Sequence, residues 1–158
     1  MLRRALILLL LAASPALAAP ALDGLPKRVQ DDLWEMIRAC NAAGGRPGDP
    51  MRALEAVDLD GDGTPDLVLD EARFPCAGLK AGALCPSVGC STYVTLSDRG
   101  RWRPALDVVG GYCIDRAETP ARFMTVQKQY LADGGGYILN VRYRFRNGMA
   151  FQDGRGRC

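Results

Sequence analysis

The sequence predicts an α+β domain in which an N-terminal helix packs on an antiparallel sheet that disulfides stabilise. Apolar residues recur at helical spacing in one segment near the N-terminus. The rest of the chain carries short β-branched and aromatic runs that turn residues separate. Six cysteines among 158 residues add covalent links.

Residues 1–18 are predicted to be a signal peptide. Two arginines precede an unbroken apolar run over residues 5–13, and Ala-Leu-Ala at 16–18 matches a small-x-small cleavage pattern. The apolar run is too short to anchor the chain in a membrane. We therefore expect residues 19–158 to form a single domain that is periplasmic or secreted and not membrane-spanning.

The predicted helix covers residues 26–43. Pro26 suits the first turn of a helix, and Gly44-Gly45 ends it. One face of this segment carries apolar residues at helical spacing, namely Val29, Leu33, Met36, Ile37 and Cys40.

The strand predictions come from β-branched and aromatic runs between turn residues. They cover residues 53–57, 66–70, 92–97, 102–109, 122–130, 137–146 and 149–152. Asn147-Gly148 joins the last two and is the strongest short hairpin signal in the chain. Gly110-Gly111 is predicted to end the fourth strand, and the Cys- and Pro-rich stretch 74–89 to form a disulfide-stapled loop.

The cysteines predict three disulfides, because an even number in an exported chain is typical of a disulfide framework. The count alone leaves the pairing open. The pairing that we predict joins Cys40 with Cys76, Cys85 with Cys90, and Cys113 with Cys158. A zinc site is the alternative, but it requires C-x-x-C spacing, which the chain lacks.

Composition excludes several kinds of chemistry. The chain has no histidine, which rules out Ser-His and Cys-His nucleophile pairs and histidine-ligated metals. It also lacks a G-x-S-x-G motif and a phosphate-binding glycine loop. Residues 19–75 carry twelve acidic and six basic residues and residues 76–158 the reverse, so the mature chain is neutral and nucleic-acid binding is not expected.

The clearest candidate site is the aspartate-rich loop within residues 57–70. Its oxygen ligands for Ca²⁺ are predicted at positions 1, 3, 5, 7 and 9, namely Asp58, Asp60, Asp62, Thr64 through its backbone carbonyl, and Asp66. Gly63 occupies position 6, where the chain must turn sharply. Leu69 replaces the position-12 glutamate of an EF-hand, so the loop is not an EF-hand. The alternative is a hairpin turn with solvated carboxylates.

The segment VDLDGDGTPDLVL, residues 57–69, resembles the calcium loop of FG-GAP and VCBS-type repeats, best known from integrin propellers. The resemblance implies that the four aspartates coordinate Ca²⁺ through side chains and Thr64 through its carbonyl, in a loop that joins two strands. A propeller needs several repeats, and this sequence holds one. The whole chain is also similar to small exported proteins of Gram-negative bacteria that combine one such loop with a Cys-rich segment.

A second candidate site is a row of three arginines, Arg142, Arg144 and Arg146, which alternate with apolar residues. In a strand this alternation places their guanidinium groups on one face. Such a face can bind a carboxylate, a phosphate or an acidic protein. A solvated sheet face is the favoured interpretation.

These features favour an exported, non-catalytic protein that binds Ca²⁺ and an envelope protein or glycan. The alternative is a small carboxylate-dependent hydrolase acting on cell-envelope glycans. Its carboxyl pair would come from the aspartates or from Glu35, Glu55, Glu71 and Glu118, and the spacing selects no pair.

Overall fold

The computed structural model describes residues 22–130 and 136–157. The predicted signal peptide and Cys158 lie outside these ranges. Within them the chain forms a single α-helix, α1 (Lys27–Ala42), and two 3-10 turns, Pro50–Ala53 and Glu71–Arg73. The strands are β1 (Arg46–Pro47), β2 (Leu54–Val57), β3 (Asp66–Asp70), β4 (Cys76–Ala77), β5 (Ser91–Asp98), β6 (Arg101–Val109), β7 (Gly111–Asp115), β8 (Arg122–Tyr130), β9 (Gly136–Arg146) and β10 (Met149–Arg155).

Antiparallel sheet dominates the fold. Sheet I has the strand order β2-β3-β5-β6, sheet II has the order β10-β9-β8-β7, and β1 pairs with β4. Sheet II packs on one face of sheet I, and α1 packs on the other face. The predicted helix and antiparallel sheet are therefore present, but the chain contains more sheet than the prediction of a helix on one sheet implies.

Strand β3 explains why both faces of sheet I are covered. Val68 faces sheet II, whereas Leu67 and Leu69 face α1. The neighbouring strand β5 repeats the pattern, because Val94 pairs with Val68 and Tyr93 pairs with Leu69. Successive side chains of a strand point to opposite faces, so a continuous apolar run needs a cover on each side.

Helix α1 packs through the face that the sequence predicts. Val29, Leu33, Met36 and Cys40 are buried, and they contact apolar residues of sheet I and of the segment that follows β3. No helix of the described ranges, α1 included, is long and apolar enough to cross a membrane.

Two of the three predicted disulfides are confirmed. Cys40 pairs with Cys76 and Cys85 pairs with Cys90. Cys113 is also disulfide-bonded, and its predicted partner lies outside the described ranges. The first bridge joins the last turn of α1 to β4, and the second closes the short loop before β5.

Strand β7 was not predicted. Gly110 ends β6, as expected, but the chain reverses there with φ +138° and continues as a strand that pairs with β8. The pairing is supported by tertiary contact, since the ring of Tyr112 stacks on that of Phe123 with centroids 5.4 Å apart. A five-residue strand of mixed polarity gives little local signal.

A polar cluster joins the edge of sheet I to sheet II. The carboxylate of Glu55 on β2 accepts hydrogen bonds from the Tyr112 hydroxyl at 2.6 Å and from Arg73 at 2.8 Å, and it also pairs with Arg116. Partial burial opposes ionisation of Glu55, but the hydrogen bonds from Tyr112, Arg116 and Arg73 outweigh it and lower its pKa. Ionised Glu55 therefore stabilises the contact between the sheets.

Removing the Cys40–Cys76 disulfide should cost more stability than removing Cys85–Cys90. The two bridges span 36 and 5 residues of sequence, and a longer loop removes more entropy from the unfolded chain. We expect Cys40→Ala/Cys76→Ala to lower the free energy of unfolding by about 4 kcal/mol and Cys85→Ala/Cys90→Ala by about 2 kcal/mol. Urea denaturation of the oxidised proteins measures both values, and equal losses would contradict the expectation.

Substituting Glu55→Gln should lower stability at neutral pH. The pKa of Glu55 is lower in the folded chain than the usual 4.5, so its stabilising effect is present above that value and is lost as the pH falls through the folded-state pKa. We expect a loss of about 1 kcal/mol at pH 7 that vanishes in acid. Glu35→Gln, which removes only an exposed pair with Arg38, is the control. A pH-independent difference would contradict the assignment.

Candidate metal site

The aspartate-rich loop is the turn of the β2–β3 hairpin. Strands β2 and β3 pair antiparallel as far as Val57 and Asp66, and residues 58–65 connect them. Other connections lie at the same end of the two sheets. The amide of Ala121, which precedes β8, donates to the carbonyl oxygen of Asp58 at 3.2 Å. The β5–β6 and β9–β10 turns line a cavity together with the loop.

Hydrogen bonds from backbone amides to aspartates hold the loop in shape. The carboxylate of Asp58 accepts from the amides of Gly61 at 2.7 Å and Gly63 at 3.0 Å. Asp60 accepts from the amide of Asp62 at 3.2 Å. Both glycines have positive φ, +84° and +82°, a conformation that glycine adopts without strain. The Asp-x-Asp-Gly-Asp-Gly sequence therefore encodes the turn.

Three of the predicted ligands converge. Asp58, Asp60 and Asp66 each place one carboxylate oxygen within 4.8 Å of the other two. Asp62 is not in this group. It is exposed, and its carboxylate accepts from the amide of Thr64 at 2.7 Å. We call Asp58, Asp60 and Asp66 the aspartate triad.

Asp66 is the structural centre of the triad. It is fully buried, and its two carboxylate oxygens accept from the amides of Leu59 and Ser97, each at 2.8 Å. Burial, with a smaller contribution from the nearby carboxylates of Asp60 and Asp58, raises the pKa of Asp66 to about 6 despite these hydrogen bonds. The side chain of Asp66 thus joins the aspartate-rich loop to the end of β5.

The triad fits a hard divalent cation. Partial burial raises the pKa of Asp60, and the charges of Asp62, Asp58 and Asp98 add to that effect. The loop therefore concentrates carboxylates that repel one another when ionised, and a cation relieves that repulsion. A carboxylate oxygen that accepts one N–H bond keeps a second lone pair for a metal. Oxygen donors of this kind are those that Ca²⁺ prefers.

The predicted arginine row is divided by the structure. The guanidinium of Arg142 donates to the backbone carbonyl of Asp153 at 2.6 and 3.1 Å, and that of Arg144 donates to the Asp153 carboxylate at 2.5 Å. Arg146 has no ion pair with any described residue. The row is therefore not a uniform anion-binding face, because its first two members bind the neighbouring strand β10.

The glutamates considered for hydrolysis all have protein partners. Glu55 belongs to the polar cluster, and Glu71 accepts from the amide of Ser91 and the hydroxyl of Tyr93. The exposed ones form ion pairs with Arg38 and Arg122, namely Glu35 and Glu118.

Comparisons of the chain with protein-family models, with curated proteins and with solved structures give no match. The functional argument therefore depends on the geometry of the site itself.

Asp66→Ala should destabilise the calcium-free protein far more than Asp62→Ala. The first substitution leaves two buried amides without an acceptor, which costs about 3 kcal/mol in total. The second exposes one amide to water, so we expect a change within about 0.5 kcal/mol. Urea denaturation in EDTA measures both. Equal effects would show that Asp66 does not hold the loop to β5.

Proposed function

We propose that the protein is an exported calcium-binding protein in which the loop 58–66 holds Ca²⁺ and orders the adjacent end of the two sheets for binding a partner, without catalysis. The convergence of the aspartate triad within 4.8 Å carries the proposal. Asp58, Asp60 and Asp66 would contribute carboxylate oxygens. The carbonyl of Thr64 would add a further ligand, as the resemblance to FG-GAP and VCBS-type loops implies.

The ligand chemistry favours Ca²⁺ over Mg²⁺. Ca²⁺ accepts six to eight oxygen ligands in flexible geometry, whereas Mg²⁺ requires a near-ideal octahedron and retains several waters. The triad, the Thr64 carbonyl and solvent can supply a flexible set of this kind. The expected dissociation constant is about 10⁻⁴ to 10⁻³ M, the range of extracellular modules.

The disulfides support the proposed export. Bonds such as Cys40–Cys76 and Cys85–Cys90 persist in oxidising compartments, and residues 1–18 have the sequence of a signal peptide. The proposed location is the periplasm or the cell exterior.

Calcium should raise the melting temperature of the protein. For a dissociation constant of about 10⁻³ M, 10 mM Ca²⁺ adds about 1.4 kcal/mol of stability, or about 4 °C. Asp60→Asn should lose most of this gain, because it neutralises a triad ligand. Asp62→Asn is the matched control and should keep most of it. Thermal melts in calcium, magnesium and EDTA provide the measurement.

Identical melts of the wild-type protein in calcium and in EDTA would overturn the calcium proposal. If Asp60→Asn and Asp62→Asn lost equal parts of the calcium-dependent rise in melting temperature, the ion would instead lie away from the triad.

A further inference from the structure

A groove of about 720 Å³ lies beside the aspartate triad. Its walls come from the loop 58–65, from the β5–β6 turn and from the β9–β10 turn, and we call it the loop-end groove. Loops that a rigid sheet scaffold holds at one end are common places for binding sites. The groove contacts the proposed calcium site through Asp60, which lines it.

Three arginines of the groove have no partner among the residues that the structure describes. Arg99, Arg101 and Arg146 line it, are exposed, and form no ion pair within residues 22–130 and 136–157. Asp98, which also lines the groove, pairs instead with Arg103 at 2.8 Å. These guanidinium groups are therefore available for an anion, and Arg binds carboxylates through two parallel hydrogen bonds.

An exposed aromatic ring lies among the arginines. Trp102 is 39% exposed and lines the groove. It pairs across the strands with Ser97, so the two side chains share a face. Ser97 also lines the groove, and its buried hydroxyl has no hydrogen-bond partner in the described part of the chain. A flat exposed ring beside exposed guanidinium groups suits a ligand that has both a C–H face and a carboxylate.

Calcium would change the charge of the groove. Three aspartates, Asp60, Asp62 and Asp98, line it together with the three arginines, so their formal charges cancel. The triad adds Asp58 and Asp66, which do not line the groove, so the whole group has a formal charge of −2, and a Ca²⁺ ion on the triad would bring it to zero. Anion binding should therefore depend on calcium.

We infer that the loop-end groove binds an acidic saccharide, a glycan with uronic-acid residues, when calcium is present. The inference rests on the proposed calcium site. Arg99, Arg101 and Arg146 would bind the carboxylate, and Trp102 would stack on the C–H face of a sugar ring. Sugar oxygens could complete the coordination of Ca²⁺, which takes more oxygens than the triad supplies. A free phosphate would use the arginines but not the ring.

Isothermal titration of the protein with trigalacturonate tests the inference. Calcium is present at the same concentration in cell and syringe, and a parallel titration uses EDTA. We expect binding in calcium and at least about tenfold weaker binding in EDTA. Maltotriose, a neutral trisaccharide, should bind at least about tenfold more weakly than trigalacturonate because it offers no carboxylate.

Variants of the groove separate its parts. Arg101→Ala should weaken binding about tenfold, and Trp102→Ala at least about fivefold. Arg52→Ala and Tyr137→Ala are the matched controls and should bind as wild type. They remove an exposed arginine just before β2 and an exposed aromatic ring at the start of β9, and neither residue lines the groove. The calcium melts confirm that each variant is folded.

The outcomes distinguish this inference from the proposed function. A calcium-dependent melt without trigalacturonate binding would overturn the saccharide site and leave calcium binding intact. Equal binding in EDTA, with no calcium effect on the melt, would overturn the calcium proposal and the calcium dependence of the groove together. Equal binding of maltotriose, or binding of inorganic phosphate in place of trigalacturonate, would overturn the assignment to acidic sugars.

Discussion

The carboxylate of Asp66 is the contact on which the arrangement of the site depends. It is fully buried and accepts two hydrogen bonds, one from the amide of Leu59 at the start of the loop and one from the amide of Ser97 at the end of β5. A buried carboxylate is costly unless hydrogen bonds satisfy it, so the two amides and the side chain hold one another in place. The loop, the β5–β6 hairpin and the loop-end groove are therefore a single structural unit.

The layered fold explains why the polar chemistry lies at this end. Sheet I is covered on one face by α1 and on the other by sheet II, so β3 and β5 bury apolar side chains such as Val68, Leu69 and Val94 between the layers, whereas the buried Asp66 and Ser97 lie at the loop end. The opposite end of the sheets carries the Cys-rich segment and the disulfide Cys85–Cys90. Within residues 22–130 and 136–157, no Cys-rich segment covers the hairpin turns at the loop end, and these turns carry the aspartates, the arginines without an ion pair in those ranges, and Trp102.

Features with a strong local signal could be predicted from the sequence. The apolar stripe predicted α1, Asn147-Gly148 predicted the β9–β10 hairpin, and the aspartate spacing predicted a carboxylate cluster. Features that depend on distant residues could not be predicted. Strand β7 exists because Tyr112 meets Phe123 and Glu55, and the division of strands into two sheets depends on such contacts.

The same distinction applies within the site. Spacing placed four aspartates around one point, but only three of them converge, because Asp62 is exposed and its carboxylate accepts from the amide of Thr64 outside the triad. The arginine row was evident from alternation, yet a bulge in β10 brings Asp153 onto Arg142 and Arg144.

The position of Asp60 connects the proposed calcium site with the groove. Asp60 is partly buried, belongs to the triad and lines the groove. A cation bound to its carboxylate would therefore change the electrostatic potential inside the groove. The three arginines stand on two hairpin turns, so an anion that binds them would hold the β5–β6 and β9–β10 turns together. If a cation on the triad strengthens anion binding in the groove, then a bound anion must strengthen cation binding by the same factor, because the coupling between two binding sites is reciprocal.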